Sequence, residues 1–364
     1  MEYTTASLWT IFFKRFWLPA LLLQAHFSMA LPSSTINTAN TSFSSNTPDP
    51  IVAGAMLSSL PLQQALALTT TEQSIHTPST HNYTSGPWMV QAGADGSYGT
   101  LHGTSPFFVN SQTHHQAAHS TFHYKLMDLL EVGGVTGLSH DDTTWQGGGG
   151  YRNDSQFLSA FARLRLQSLD TDLTLAQTHQ DYGTQTLTYA GTMDRATTVG
   201  GIRSAALNMR FKFGGDSYMW GPLFNISAQH LWLGSLEGQN PQGFSIAAQK
   251  TTSTLYGMGL YGNAWRDVSW HTIPLGKVRL FAFMQRQREG QYQPYQTIAS
   301  PNSVPSASFA YTTFVPGKIQ DQEQIGLSWE YSQHLQVSLI SNNGQGVSSG
   351  WGQHDIGLGV NGVF

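Results

Sequence analysis

From Gly86 to the end of the chain, apolar and polar residues alternate with a period of two, the pattern of β-strands with two unlike faces. Trp88, Val90, Ala92 and Ala94 fall on one face, and Gln91, Asp95 and Ser97 on the other. The pattern recurs at Leu158, Ala160, Ala162, Leu164 and Leu166, set against Ser159, Arg163 and Arg165. Ala205, Leu207, Met209, Phe211 and Phe213 likewise oppose Ser204, Asn208, Arg210 and Lys212. Ile325, Leu327, Trp329 and Tyr331 oppose Gln324, Ser328 and Glu330, and the final stretch sets Ile356, Leu358, Val360 and Phe364 against Asp355 and Asn361. This periodicity predicts twelve strands centred near residues 92, 124, 134, 162, 176, 208, 226, 257, 281, 327, 338 and 358.

The predicted connections alternate in length. Long ones fall near 100–119, 140–154, 181–198, 236–248, 289–318 and 342–350. Short ones fall near Asp128, Asp170, Gly214–Ser217, Arg266-Asp267 and Ser332–His334. An even strand number with long loops at one end and tight turns at the other is the plan of a bacterial membrane barrel. The reading is all-β, a twelve-stranded antiparallel transmembrane barrel over residues 86–364.

Charge changes that picture from a merely alternating sheet to a membrane one. Only 10% of residues are charged, aromatics make up 12%, and there are 37 glycines; a soluble domain carries about 25% charged residues. The charges that exist are read as mid-strand: Arg163, Arg165, Arg203, Arg210, Lys212, Glu237, Arg279 and Glu330. In a sandwich they would face bulk water, whereas in a barrel they line a polar lumen while the apolar face meets lipid. Confined charges pair with one another; the same side chains would also suit a pore wall or contacts to a helix in the lumen. A net charge of −4 gives nothing for nucleic acid to bind. Cysteine is absent, so no disulfide framework supports the fold.

The N-terminal quarter is different. Residues 1–30 read as an export signal, with Lys14 and Arg15 before an apolar core from Phe16 to Phe27 and small residues at Ser28-Met29-Ala30. Residues 31–50 are Ser/Thr/Asn-rich and carry too little apolar surface to fold alone. Residues 51–68, from Ile51 through Met56 and Leu60 to Leu66, have helical character that Pro61 weakens, and 69–85 is a polar connector. No segment after the signal approaches the roughly 20 apolar residues of a membrane helix.

Three motifs invite chemistry and are read otherwise. Gly215-Asp216-Ser217-Tyr218 looks like an esterase nucleophile block, but it sits where a tight turn is predicted, and Asp267 and His271 lack the spacing of catalytic partners. His115, His119 and His123 would line one face of a helix and suit a metal there. The stretch is instead predicted to be a loop entering a strand, where a spacing of four is taken to share no face, so no metal is assigned. Gly147–Gly150 has no lysine or following helix and reads as a flexible loop, not a phosphate cradle. No cofactor and no catalytic residue are expected.

From about residue 86 the chain resembles the β-domain of autotransporters, most of all the barrels that follow GDSL-type esterases. The resemblance is carried by Ala196-Thr197-Thr198-Val199-Gly200-Gly201 leading into a strand, Trp220-Gly221-Pro222 opening the next, the Glu237 region closing it, and Ile325–Tyr331 with the terminal strand. It implies a monomeric outer-membrane barrel in a Gram-negative cell, reached through the Sec pathway, with residues 51–68 as a helix plugging the lumen. It also implies type V secretion of the chain's own N-terminal segment, handled by periplasmic chaperones and the barrel-assembly machinery. Ile356, Leu358, Val360 and Phe364 would form the C-terminal assembly signal. Only about 20 residues separate the signal from the helix candidate, so residues 31–50 are expected to be a vestigial passenger and no enzyme is expected. A porin-like channel is the alternative, and an esterase remnant a more distant one.

Overall fold

A computed structural model describes residues 87–103, 110–146, 148–187, 192–270, 273–290, 296–303, 309–312, 319–332, 335–347 and 351–363. The predicted export signal, the 31–50 segment and the 51–68 helix lie outside the described residues. Among the described residues are sixteen strands: β1 Trp88–Gly103, β2 Ser111–Met127, β3 Leu130–Trp145, β4 Gly149–Arg165, β5 Leu169–Leu187, β6 Met193–Phe211, β7 Phe213–Gly215, β8 Tyr218–Leu233, β9 Phe244–Ile246, β10 Gln249–Trp270, β11 Ile273–Glu289, β12 Gln296–Pro301, β13 Phe309–Thr312, β14 Ile319–Ser332, β15 Leu335–Gly346 and β16 Trp351–Val363.

Twelve of them form one antiparallel sheet in sequence order: β1–β6, β8, β10, β11 and β14–β16. The sheet closes because β1 pairs with β16, from Gln91↔Val363 to Gly103↔Trp351. All twelve predicted strand centres fall inside these strands.

Loop lengths differ from the expectation. The connections predicted at 100–119 and 140–154 are largely strand: β1 and β2 run to within a few residues of each other, and β3 gives way to β4 at 146–148. Arg266 and Asp267, read as a turn, lie within β10. The physical reason is length. On β8 the outward apolar residues run from Trp220 through Pro222, Phe224 and Ile226 to Ala228. With Tyr218 that is ten steps, and at ~3.3 Å per residue and a tilt near 40° they cover about 25 Å, the height of a membrane belt. A 22-residue strand such as β10 must therefore continue well beyond the belt. There the outward face turns polar while the ladder persists, and a stretch of strand without the alternation looks like a loop.

The outward apolar side chains are bare in the isolated chain: Leu158 is 64% exposed, Leu138 61% and Met258 61%. A band of such residues around a closed sheet calls for a lipid solvent. At the turn end of the belt Trp88 stacks with Tyr124 (ring centroids 4.2 Å) and Trp329 meets Tyr331 (5.4 Å). Their amphipathic rings suit the membrane–water boundary.

Turn chemistry is sharper than the sequence suggested. Gly148 and Gly149 adopt φ of 101° and 88°, a conformation that L side chains rarely take, so this glycine run makes a tight β3–β4 reversal and is not there for flexibility. Gly215-Asp216-Ser217-Tyr218 forms the reversal between β7 and β8, where the Ser217 carbonyl accepts a hydrogen bond from the Trp265 N–H at 2.9 Å.

At the loop end a second, small core forms. Trp145, Tyr151, Tyr182, Ala196 and Leu233 project inward from the barrel strands, and Leu236 and Ile246 from the β8–β10 connection are buried among them. Leu236 and Ile246 exchange backbone hydrogen bonds of 2.9 and 2.8 Å. β9 then pairs with β12, and β12 with β13, in a separate three-stranded sheet. Asp194, only 3% exposed, ties this connection to the wall by accepting from the Asn240 N–H at 2.8 Å and from Asn302 Nδ2 at 3.4 Å. Removing that buried acceptor costs about 1–3 kcal/mol. Asp194→Ala is therefore expected to raise the rate of limited proteolysis within 234–248 roughly tenfold. An unchanged cleavage rate would show that the connection is held by its apolar contacts alone.

Candidate functional site

A strand's two faces make every second residue point into the lumen, and the lumen wall is where the chain concentrates its charge. On β2, β3 and β4 the inward positions are odd-numbered, and on β5 and β6 even-numbered. This parity places Arg163, Arg165, Arg210 and Lys212 inside, and Arg279 and Glu330 meet there from β11 and β14. It also turns two expectations over. Arg203 lies on the outward face of β6, because inward positions there are even. Glu237 is not in a strand at all but exposed in the connection after β8.

The inward charges form a continuous network across five strands near the turn end. Glu131 on β3 receives Arg165 Nη2 at 3.0 Å and lies 3.7 Å from Arg163 Nη1, with His123 of β2 bonded to its other side. Arg163 Nε donates to Asp172 on β5 at 2.7 Å, and Arg210 on β6 pairs with the same carboxylate. Lys212 reaches Asp170 at 2.8 Å. Register brings these partners together: Glu131↔Arg163 and Arg163↔Asp172 are direct cross-strand neighbours, and Asp170↔Arg210 sets Arg210 and Lys212 one step diagonal to Asp172 and Asp170. Arg163 is 5% exposed, with its guanidinium carbon 5.6 Å from the Phe161 ring centre. On the far wall Arg279 lies 3.4 Å from Glu330.

Close approach of Phe161 needs a residue without a side chain opposite. A Cβ on Gly133 would stand 2.3 Å from both the Phe161 ring and the Phe122 carbonyl, so glycine there lets the ring lie flat against the wall beneath Arg163.

The histidines are the other correction. His115, His119 and His123 lie in β2, not in a loop, and in a strand an even spacing of four does share a face. All three point inward. His115 Nδ1 lies 2.5 Å from Asp141, and Asp95 is 3.6 Å from both His115 Nε2 and His119 Nδ1. His119 Nε2 lies 3.2 Å from Asn361 Oδ1, so the column stitches β1, β2, β3 and β16 together at the closure of the barrel. Among the described residues no three histidine or acidic side chains are grouped as a metal-ligand set. The acidic partners Asp95, Asp141, Glu131 and Asp172 were missed by the sequence reading; their even offsets within polar strand faces were the available signal.

Opposite this charged wall the lining is amide-rich. Gln285 bonds Gln322 at 2.9 Å, Gln324 bonds Asn342 at 2.7 Å, and Asn225 bonds Asn208 at 2.6 Å. A lumen cavity of about 170 Å³ is bounded by residues including Asp172, Arg210, Asn225, Gln229, Gln285 and Gln324. One half of the lumen wall therefore concentrates fixed charges, while the other is mainly neutral donors and acceptors around the Arg279–Glu330 pair. Such a wall suits a polar or helical chain segment passing through it, and it holds no assembled nucleophile among the described residues. Ile356, Leu358 and Val360 face outward from β16 at 50%, 55% and 42% exposure, while Phe364 lies outside the described residues.

No family model matches the chain, and no curated protein does. Solved structures do match in fold. The translocator domain of the autotransporter NalP from Neisseria meningitidis superimposes with a TM-score of 0.64 at 12% identity, covering 85% of this chain and 99% of that one. The beta domain of the Bordetella autotransporter BrkA gives 0.52 at 11% identity, covering 76% of this chain and all of that one (100%). The fold is that of an autotransporter translocator domain: a closed, twelve-stranded antiparallel barrel.

The turn-end network yields a stability test. Arg163→Met strips a shared cation from two buried carboxylates and is expected to cost the refolded barrel about 3–5 kcal/mol. Arg152→Gln, on the exposed outer face, is expected to cost under about 1 kcal/mol. The urea midpoint of heat-modifiable folding measures both, and equal midpoints would refute the network's importance.

Proposed function

We propose that this chain is an outer-membrane translocator of the autotransporter type, anchoring or exporting its own N-terminal segment by type V secretion. The observation that carries the reading is the pairing of an apolar outer belt with a charge-and-amide-lined lumen in a closed barrel of the translocator kind. In this reading residues 1–30 direct export through the Sec pathway, 51–68 occupy the lumen, and 31–50 are carried to the surface. The turns then face the periplasm and the loop end faces outward. Periplasmic chaperones and the barrel-assembly machinery are the expected partners, with Ile356, Leu358, Val360 and Phe364 as the assembly signal. In this reading the chain acts as a translocator and not as an enzyme. The finer likeness to barrels of GDSL-type esterases rests on the sequence stretches around 196–201 and 220–222.

Conductance in planar bilayers separates this from a porin-like channel. The full chain is expected to conduct weakly, and deletion of residues 31–68 to raise the conductance several-fold. A large conductance that the deletion leaves unchanged would establish the channel reading in its place. For the assembly signal, Phe364→Ala is expected to lower the folded, heat-modifiable fraction in cells several-fold. A fraction equal to that of the unmodified chain would remove Phe364 from that role.

A further inference from the structure

The outer face of β5, β6, β8 and β10 changes abruptly from apolar to cationic one row above the belt. The last apolar rows are Leu173–Leu207–Ile226–Tyr256 and Leu175–Ala205–Ala228–Thr254, set side by side by the strand register. The next row is Gln177–Arg203–His230–Thr252, and the one above it His179–Gly201–Trp232–Lys250. Arg203 and Lys250 are exposed, and their side chains form no hydrogen bond or ion pair with any described residue. Two other outward cations are matched by carboxylates, Arg152 to Asp142 at 3.2 Å and Arg286 to Asp321 at 2.7 and 2.8 Å, while Arg195, Arg266 and Arg288 are exposed elsewhere on the outer face.

Two further features shape the patch. Gly201 has no side chain, and the Trp232 indole leans into the space, its Nε1 2.8 Å from where a Cβ would stand. The indole N–H therefore lies beside the Arg203 position as a third donor, on an amphipathic ring of the kind that sits at lipid headgroups. Two strand spacings of ~4.8 Å and one row of ~6.7 Å separate the Arg203 and Lys250 backbones by about 12 Å. Both side chains are long enough to extend along apolar surface and place their charge at the headgroup level. His179 sits at the patch margin, with Asp181 3.8 Å away as the nearest carboxylate.

We propose that Arg203, Lys250 and the Trp232 indole form a binding site for the phosphate groups of a phosphorylated lipid headgroup in the outer leaflet. Planar guanidinium and phosphate pair through two parallel hydrogen bonds, and the ammonium adds a point charge. The lipid's acyl chains run down the Leu175 and Ile226 rows while its phosphates meet the cations. The site rests on the membrane-barrel reading, because only that reading puts a headgroup at this height.

The test uses the refolded full chain in detergent and a fluorescent diphosphoryl lipid A in mixed micelles. The double variant Arg203→Gln/Lys250→Gln is expected to bind about tenfold more weakly, a loss of about 1.4 kcal/mol. Arg286→Gln is expected to bind normally, and Arg203→Lys to fall between the unmodified chain and the double variant, because an ammonium keeps the charge but loses the paired hydrogen bonds. Lipid A stripped of phosphate is expected to bind the unmodified chain as weakly as the double variant binds the intact lipid. Equal binding by the double variant, or equal binding of the stripped lipid, overturns the proposal. So does full displacement by millimolar inorganic phosphate, which would show an adventitious ion only. Heat-modifiable migration is followed throughout. Its loss in the unmodified chain would sink the barrel reading itself, whereas loss only in the variants leaves the stripped-lipid comparison to decide the site.

Discussion

A sheet inside a bilayer has nowhere to put an unpaired edge, and the β1–β16 ladder is the interaction that removes the last one. Each backbone N–H and C=O left without a partner in hydrocarbon costs several kcal/mol, so closure governs the rest of the design. The first strand must meet the last in a register that puts both apolar faces outward. Trp88, Val90 and Ala92 on one side of the seam and Ile356, Leu358 and Val360 on the other satisfy this. The histidine column reinforces the seam from within, since Asp95 and Asn361 reach His115 and His119 from the two strands that close it.

Once the sheet is closed, charge can be sorted only by side. The outer belt excludes it, so the few charged residues gather in the lumen or beyond the belt. In the lumen they are desolvated and must be matched, which accounts for one carboxylate, Asp172, serving both Arg163 and Arg210. A matched network of this kind is neutral in energy compared with a well-packed apolar core, yet costly to break. It holds the wall in a single arrangement while leaving the opposite, amide-lined wall free to adapt to a chain segment. The rim above the belt follows a different rule. There water is at hand, so Arg203 and Lys250 need no partner among the described residues.

The loop end shows how the barrel spends its remaining apolar residues. Trp145, Tyr151 and Tyr182 point inward above the belt, and the β8–β10 connection folds Leu236 and Ile246 onto them. Asp194 fastens that connection by accepting backbone and amide donors. The molecule thus has two apolar regions of opposite sense, a lipid-facing belt and a small inward core at one mouth.

Strand number, antiparallel order and the sidedness of residues such as Leu158 or Arg163 were legible in the sequence, because a period of two is a local property that each strand repeats. The low charge content and the outward run ending at Val360 were enough to assign lipid to one face. Strand ends were not legible: beyond the belt the outward face turns polar and the alternation is lost, so Gln112, Asp142 and Thr184 read as loop while the ladder continues through them. Nor was the fate of single charges. Arg203 differs from Arg210 only by parity within β6, and a one-residue change of register reverses a side chain's face. The histidines at 115, 119 and 123 had the spacing of a shared strand face, but only the continuation of β2 through them made that spacing count. Which carboxylate meets which cation depends on the stagger between neighbouring strands. That stagger is set when the sheet closes on itself, and no single strand carries it.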